Sequence, residues 1–156
     1  MKQFLAAIQF LTILPLPRGL CPDERALGGS LPFFPIVGLG IGAAVALIDR
    51  GLGSLFPVGV TSVFAVILLI AASGGLHLDG LADTADGFFS SRPRERILEI
   101  MRDSRTGPMG VAAIVCLVAL KIALIAAVAA PARAWVLLMT PIAGRCALLI
   151  HMALLP

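Results

Sequence analysis

Four long apolar runs leave this chain few ways to fold. Residues 31–48, 58–76, 109–130 and 134–155 carry at most one charge each. Each run approaches the roughly 20 residues that an α-helix needs to cross a bilayer. Backbone amides in hydrocarbon must find partners within their own segment, so runs of this kind form helices. Composition points the same way. Only 13% of the residues are charged, against about 25% in soluble domains. The expected fold is an all-α polytopic transmembrane helix bundle of about four spans, at 31–50, 58–78, 109–130 and 134–155. To these it adds an N-terminal interfacial segment over 1–30 and an Asp-rich helical segment over 77–108.

The N-terminal run Phe4 to Leu14 follows Lys2 but leads into Pro15-Leu-Pro17 rather than a small-residue cleavage site. It is too short to span and reads as an interfacial or re-entrant helix. Gly38, Gly40 and Gly42 in the first long run are small enough to let helices approach closely in lipid. The link Pro131-Ala-Arg133 is so short that the last two helices are expected to be antiparallel neighbours. Lys2, Arg18 and Arg25 at the N-terminus and five arginines in the central segment face Arg50 and Arg133 in the opposite loops. This bias places the N-terminus, central segment and C-terminus in the cytoplasm. Three spans with one run re-entrant is the alternative. The basic pI of 9.1 follows from these loops; no basic patch is interleaved with aromatics, so nucleic acid is not an expected partner. Cys21, Cys116 and Cys146 have no metal-ligand spacing and read as apolar fillers.

Chemistry concentrates between His77 and Arg105, which holds six of the nine acids. Asp79, Asp83 and Asp86 sit at i, i+4 and i+7. At about 100° per residue they occupy an arc of roughly 60° on one helical face. Three like charges this close at a span end repel one another unless a cation lies among them. Hard oxygen ligands suit Mg²⁺, which bridges carboxylates to substrate phosphates. The opposing reading is a solvated helix face, which would more normally mix Glu with Lys.

A second acidic row follows. Glu95, Glu99 and Asp103 are spaced by four and are expected to share a helical face, with Arg92, Arg96 and Arg102 between them. Alone, the row could be a salt-bridge-laced amphipathic helix. Arg102 and Arg105 are candidate bidentate phosphate clamps. Lys121 and Arg145 lie near mid-span, where their expected partners are the acids or an anionic substrate. His77 is a candidate ligand or acid/base, and His151 reads as packing.

The stretch from Gly75-Leu-His-Leu-Asp79 through Gly87, with Glu99-Ile-Met-Arg-Asp-Ser-Arg105, Gly107 and Gly110, resembles the signature of the cobalamin synthase family, the adenosylcobinamide-GDP ribazoletransferases. Phe10 to Pro15 and Leu31 to Gly38 fit the same family, and Lys121 and Arg145 fall where it places a lysine and an arginine. The resemblance implies a Mg²⁺-dependent, multi-pass enzyme of the bacterial cytoplasmic membrane. Such an enzyme joins α-ribazole or its 5′-phosphate to adenosylcobinamide-GDP, releases GMP and forms adenosylcobalamin or its phosphate. Metal ligands would be Asp79, Asp83 and Asp86, with Glu99 completing the site. Family members run on past the position of Pro156, so the chain is expected to be C-terminally short.

A weaker likeness links Asp83-x-x-Asp86-Gly87 and Glu99-x-x-x-Asp103 to the CDP-alcohol phosphotransferases, although their Ala-Arg pair is missing. That likeness suggests Asp103 as the base. A lipid-headgroup phosphotransferase and a cation-binding transport subunit are the competing functions. Oligomeric state, including a homo-oligomer, is left open.

Overall fold

The computed structural model describes residues 2–16, 27–103 and 105–154, and every regular element among them is helical. Arg18, Cys21, Arg25, Ser104 and Leu155, the end of the expected fourth span, lie outside the described residues. The α-helices are α1 (Lys2–Leu11), α2 (Phe34–Leu52), α3 (Val58–Ala72), α4 (Leu76–Phe88), α5 (Arg94–Ile100), α6 (Pro108–Ala127) and α7 (Ala130–Leu154), with a 3-10 turn at Leu31–Phe33 leading into α2. Leu31–Leu52, α6 and α7 are each long and apolar enough to cross a membrane.

The run expected to span 58–78 is broken instead. Helix α3 stops at Ala72, and α4 leaves it at 88°. Gly74 and Gly75 make the corner, with φ of 61° and 76°. Side-chain-bearing residues resist this left-handed region, and glycine does not.

Helix α2 is the axis of the bundle. Its buried residues, Phe34, Val37, Gly38, Ile41, Gly42, Val45 and Asp49, recur every three to four positions and form one stripe. Leu137, Pro141 and Arg145 make the matching stripe on α7, four residues apart. A Cβ on Gly38 would lie 2.8 Å from the Pro141 carbonyl oxygen, and one on Gly42 2.9 Å from Leu138 Cα. Both obstacles are backbone and cannot swing aside. In lipid the helices gain little from hydrophobic association, so this close van der Waals contact holds them together. Gly42→Leu is therefore expected to cost about 1–3 kcal/mol. Gly40, which faces open space, should accept alanine without loss. Thermal unfolding in detergent distinguishes the two.

Helix α1 packs Ala7 and Leu11 into the same core. Phe10 stacks on Phe34 at 5.8 Å, and the Ile13 amide donates to the Ala72 carbonyl at 3.0 Å. The segment expected at the interface thus has one face committed to the bundle.

Helices α6 and α7 do not pack side by side as their short link suggests. Helix α7 lies along α2, whereas α6 lies against α3 and α4. The two-glycine groove of α2 and an ion pair draw α7 away. Arg133, counted above as a loop cation, lies within the first turn of α7. Its guanidinium donates to both Asp49 oxygens at 2.7 and 2.9 Å, to the Ile125 carbonyl at 2.7 Å, and to the Thr61 and Ser62 hydroxyls. Asp49 is only 8% exposed. One end of the bundle is therefore closed by a buried, fully partnered ion pair, and the other end splays open.

Candidate active site

At the open end, α4 carries His77, Asp79, Asp83 and Asp86. Its buried face is Ala82, Ala85 and Gly87, small residues that bring the helix close to α6 and α5. Gly87 packs beneath Met101 and Ile97. Asp79 is exposed and Asp83 half-buried. Asp79 lines a cavity of about 650 Å³ together with Phe10, Gly74, Gly75 and Thr106.

Asp86 is differently engaged. Its Oδ2 accepts the Gly107 amide at 2.6 Å and its Oδ1 the Gly110 amide at 2.8 Å. These are unpaired amides of the first turn of α6, where a carboxylate is also favoured by the helix dipole. Pro108 at the start of α6 lacks an N–H and presets the helical φ. A side chain at Gly110 would run into Asp86 and the Ala82 carbonyl. Asp86 therefore pins α4 to the start of α6. Among the described residues no three His, Cys, Asp or Glu side chains come together as a ready metal cage. Mg²⁺ does not need one. It takes one or two carboxylates and completes its shell with water and substrate phosphates. Asp79 and Asp83, one helical turn apart, fit that demand, and each Asp86 oxygen keeps a lone pair free.

The second acidic row does not form one face. Helix α5 ends at Ile100, so Glu95 and Glu99 are on it and Asp103 is beyond it. Asp103 instead closes a turn in which its Oδ1 accepts the Arg105 amide at 3.0 Å. Such a side-chain bond competes with helix continuation. The Arg105 guanidinium also donates to Asp103, at 2.7 Å from Nη2. Glu99 pairs with Arg96 across one turn of exposed helix, a contact of small energetic weight. Arg102 is exposed.

The hydrogen bonds from Arg105 hold the Asp103 carboxyl down to about 2. A lowered folded value means that the pair's contribution to stability is complete above the unfolded value near 3.9 and is lost as pH falls through about 2. Asp103 should therefore stay ionised down to about pH 3 in NMR titration, and Arg105→Gln should return it to the ordinary range near 4.

A second cavity, of about 490 Å³, fills the gap between α6 and α7. His77, Lys121, Arg145 and His151 line it, and it shares Ser73 and Gly75 with the Asp79 cavity. His151, read from sequence as packing, faces this space. It sits six residues beyond Arg145, about 120° further round the helix at about 100° per residue, so their spacing gave no signal for it. Cys116 and Cys146 are free thiols with no polar role here.

Residues 3–156 match the family described as cobalamin-5-phosphate synthase. The chain belongs to that family. Cobalamin-5-phosphate synthase relatives include adenosylcobinamide-GDP ribazoletransferases of Acetivibrio thermocellus, 43% identical over 93% of this chain and 58% of the relative, and of Brevibacillus brevis, 40% identical over 100% and 63%. A third, from Roseiflexus sp., is 46% identical over 90% of this chain and 52% of the relative. The chain thus spans roughly three fifths of the length of the first of these curated relatives. No solved structure matches it.

Proposed function

We propose that this chain carries the acidic catalytic segment of an adenosylcobinamide-GDP ribazoletransferase, acting in the bacterial cytoplasmic membrane with α4 and α5 on the cytoplasmic side. The carrying observation is the family match over residues 3–156, with the family's acids gathered on α4 at the corner between two cavities. Arg133 is neutralised by Asp49. Among the described residues Arg50 and Arg133 lie at the far end, against the five arginines between Arg92 and Arg105, and this asymmetry supports placing the α4–α5 side in the cytoplasm.

In the reaction a hydroxyl of α-ribazole, or of its 5′-phosphate, attacks the phosphorus that bears the cobinamide. The bond from that phosphorus to GMP breaks, GMP leaves, and adenosylcobalamin or its phosphate forms. Mg²⁺, when bound, neutralises the pyrophosphate oxygens. Asp79 and Asp83 would hold it, and Asp86, which fixes α4 against α6 through the Gly107 and Gly110 amides, would add its remaining lone pairs. Glu99, paired with Arg96 on α5, would complete the site. Arg102 and Arg105 clamp phosphate oxygens. Once Arg105 turns to a phosphate, Asp103 loses the partner that keeps it a weak base and can take the attacking hydroxyl's proton. His77, on the other side of α4's first turn, is the second candidate for that role.

The experiment is GMP release from adenosylcobinamide-GDP and α-ribazole or its 5′-phosphate, in liposomes, with and without Mg²⁺. Release that needs the metal supports the reading. Absence of release from this chain and from a version extended past Pro156 would remove it.

A further inference from the structure

Two arginines share the buried stripe of α7, and they have opposite fates. Arg133 meets a carboxylate, two hydroxyls and a carbonyl. Arg145, about three turns further along, is 8% exposed, and its Nε is buried without a hydrogen-bond partner. Among the described residues neither Arg145 nor Lys121 has an ion-pair partner. Both line the 490 Å³ cavity between α6 and α7, and no acid lines it. Its remaining walls are largely apolar, from Leu69, Ile70, Leu117 and Leu148 among others.

Lys121 is exposed at the cavity wall, but a buried and uncompensated Arg145 inside a membrane bundle is costly. The fold shows at its other end how it meets such a cost, by supplying the counter-charge itself. Here it supplies none and leaves a space instead. A guanidinium fork and an ammonium group lining one cavity match the oxygens of a phosphate, and the exposed His77 and His151 add ring nitrogens able to donate.

We infer that Lys121 and Arg145, with His77 and His151 at the cavity's edge, form a site for a phosphate group, separate from the acids of α4. If the proposed reaction is right, on which this assignment of the ligand rests, the phosphate is the 5′-phosphate of the acceptor. The shared lining at Ser73 and Gly75 would set that acceptor beside the pyrophosphate held on the Asp79 side. A phospholipid headgroup is the other source of the same chemistry.

The test uses the purified chain in a non-phosphate detergent and follows binding of inorganic phosphate by calorimetry. Saturable binding is expected, weakened about tenfold or more by Lys121→Gln and by Arg145→Gln. Arg50→Gln, an equal charge change at the far end, should leave it unaltered. Arg145→Lys keeps the charge without the fork and should bind at an intermediate strength, which guards against an Arg145→Gln chain that fails to fold. No saturable binding to monodisperse wild type, or equal binding by all variants, overturns the site. Displacement of the bound phosphate by α-ribazole 5′-phosphate but not by α-ribazole assigns the acceptor. Displacement by phosphatidylglycerol alone overturns that assignment and gives the cavity to a lipid. Because phosphate binding needs no turnover, a failed GMP assay with intact binding sinks the reaction and leaves the site standing.

Discussion

Arg133→Met should destabilise the bundle by about 3–5 kcal/mol. The substitution strands Asp49, which is 8% exposed and would keep a charge with no counter-charge, and it frees the Thr61 and Ser62 hydroxyls as well. The loss therefore measures an abandoned carboxylate more than a vanished attraction. Removing both charges tests this. Asp49→Leu with Arg133→Met leaves apolar side chains of similar bulk and should regain most of the stability. Reversible unfolding in mixed micelles gives all the values needed for the cycle. A single variant within about 1 kcal/mol of wild type would mean that the pair does not hold the closed end together.

Asp83→Asn should lower GMP release about a hundredfold or more while leaving the fold intact. On the proposed reading, losing one carboxylate of the metal site removes several kcal/mol of charge stabilisation from the transition state, and each 1.36 kcal/mol is tenfold in rate. No hydrogen bond of the fold depends on the Asp83 side chain among the described residues, so unfolding should be unchanged. Asp86→Ala provides the contrast. It abandons the amides of Gly107 and Gly110 and should lower stability by about 2–4 kcal/mol along with any effect on rate. If Asp83→Asn turns over normally with Mg²⁺ present, the metal does not sit where we place it.

Much of the scaffold could be read from the chain directly. Runs of eighteen or more apolar residues point to membrane helices, and the stretch 31–52, α6 and α7 are each long and apolar enough to span, although the run 58–76 is bent. The glycines of α2 announced close packing, but the sequence could not tell Gly40, which faces open space, from Gly38 and Gly42, which face backbone. The corner at Gly74-Gly75 carried its own signal and was absorbed into a span, because hydropathy averages over a bend. Likewise the four-residue spacing of Glu95, Glu99 and Asp103 suggested one face, but a side chain that can bond its own backbone ended the helix first.

The acids of α4 show where local pattern runs out. Asp79, Asp83 and Asp86 look equivalent at i, i+4 and i+7, and nothing nearby says that one of them will be taken by amides 21 and 24 residues later. Asp49 and Arg133, 84 residues apart, each resembled an ordinary charge flanking a span. Only their shared side of the membrane hinted at a pairing. The cavity beneath Arg145 had no sequence signal at all, since it exists only because α6 and α7 diverge.

The Asp49–Arg133 clasp also fixes an order of events during biosynthesis. Asp49 leaves the ribosome 84 residues ahead of its partner, so α2 and α3 enter the membrane while the acid is still unanswered. Until α7 arrives, the first hairpin is a provisional guest of the bilayer. Helix α7 is thus the one that locks α2, and a ribosome stalled in α6 would hold an unlocked intermediate, open to the cell's membrane proteases.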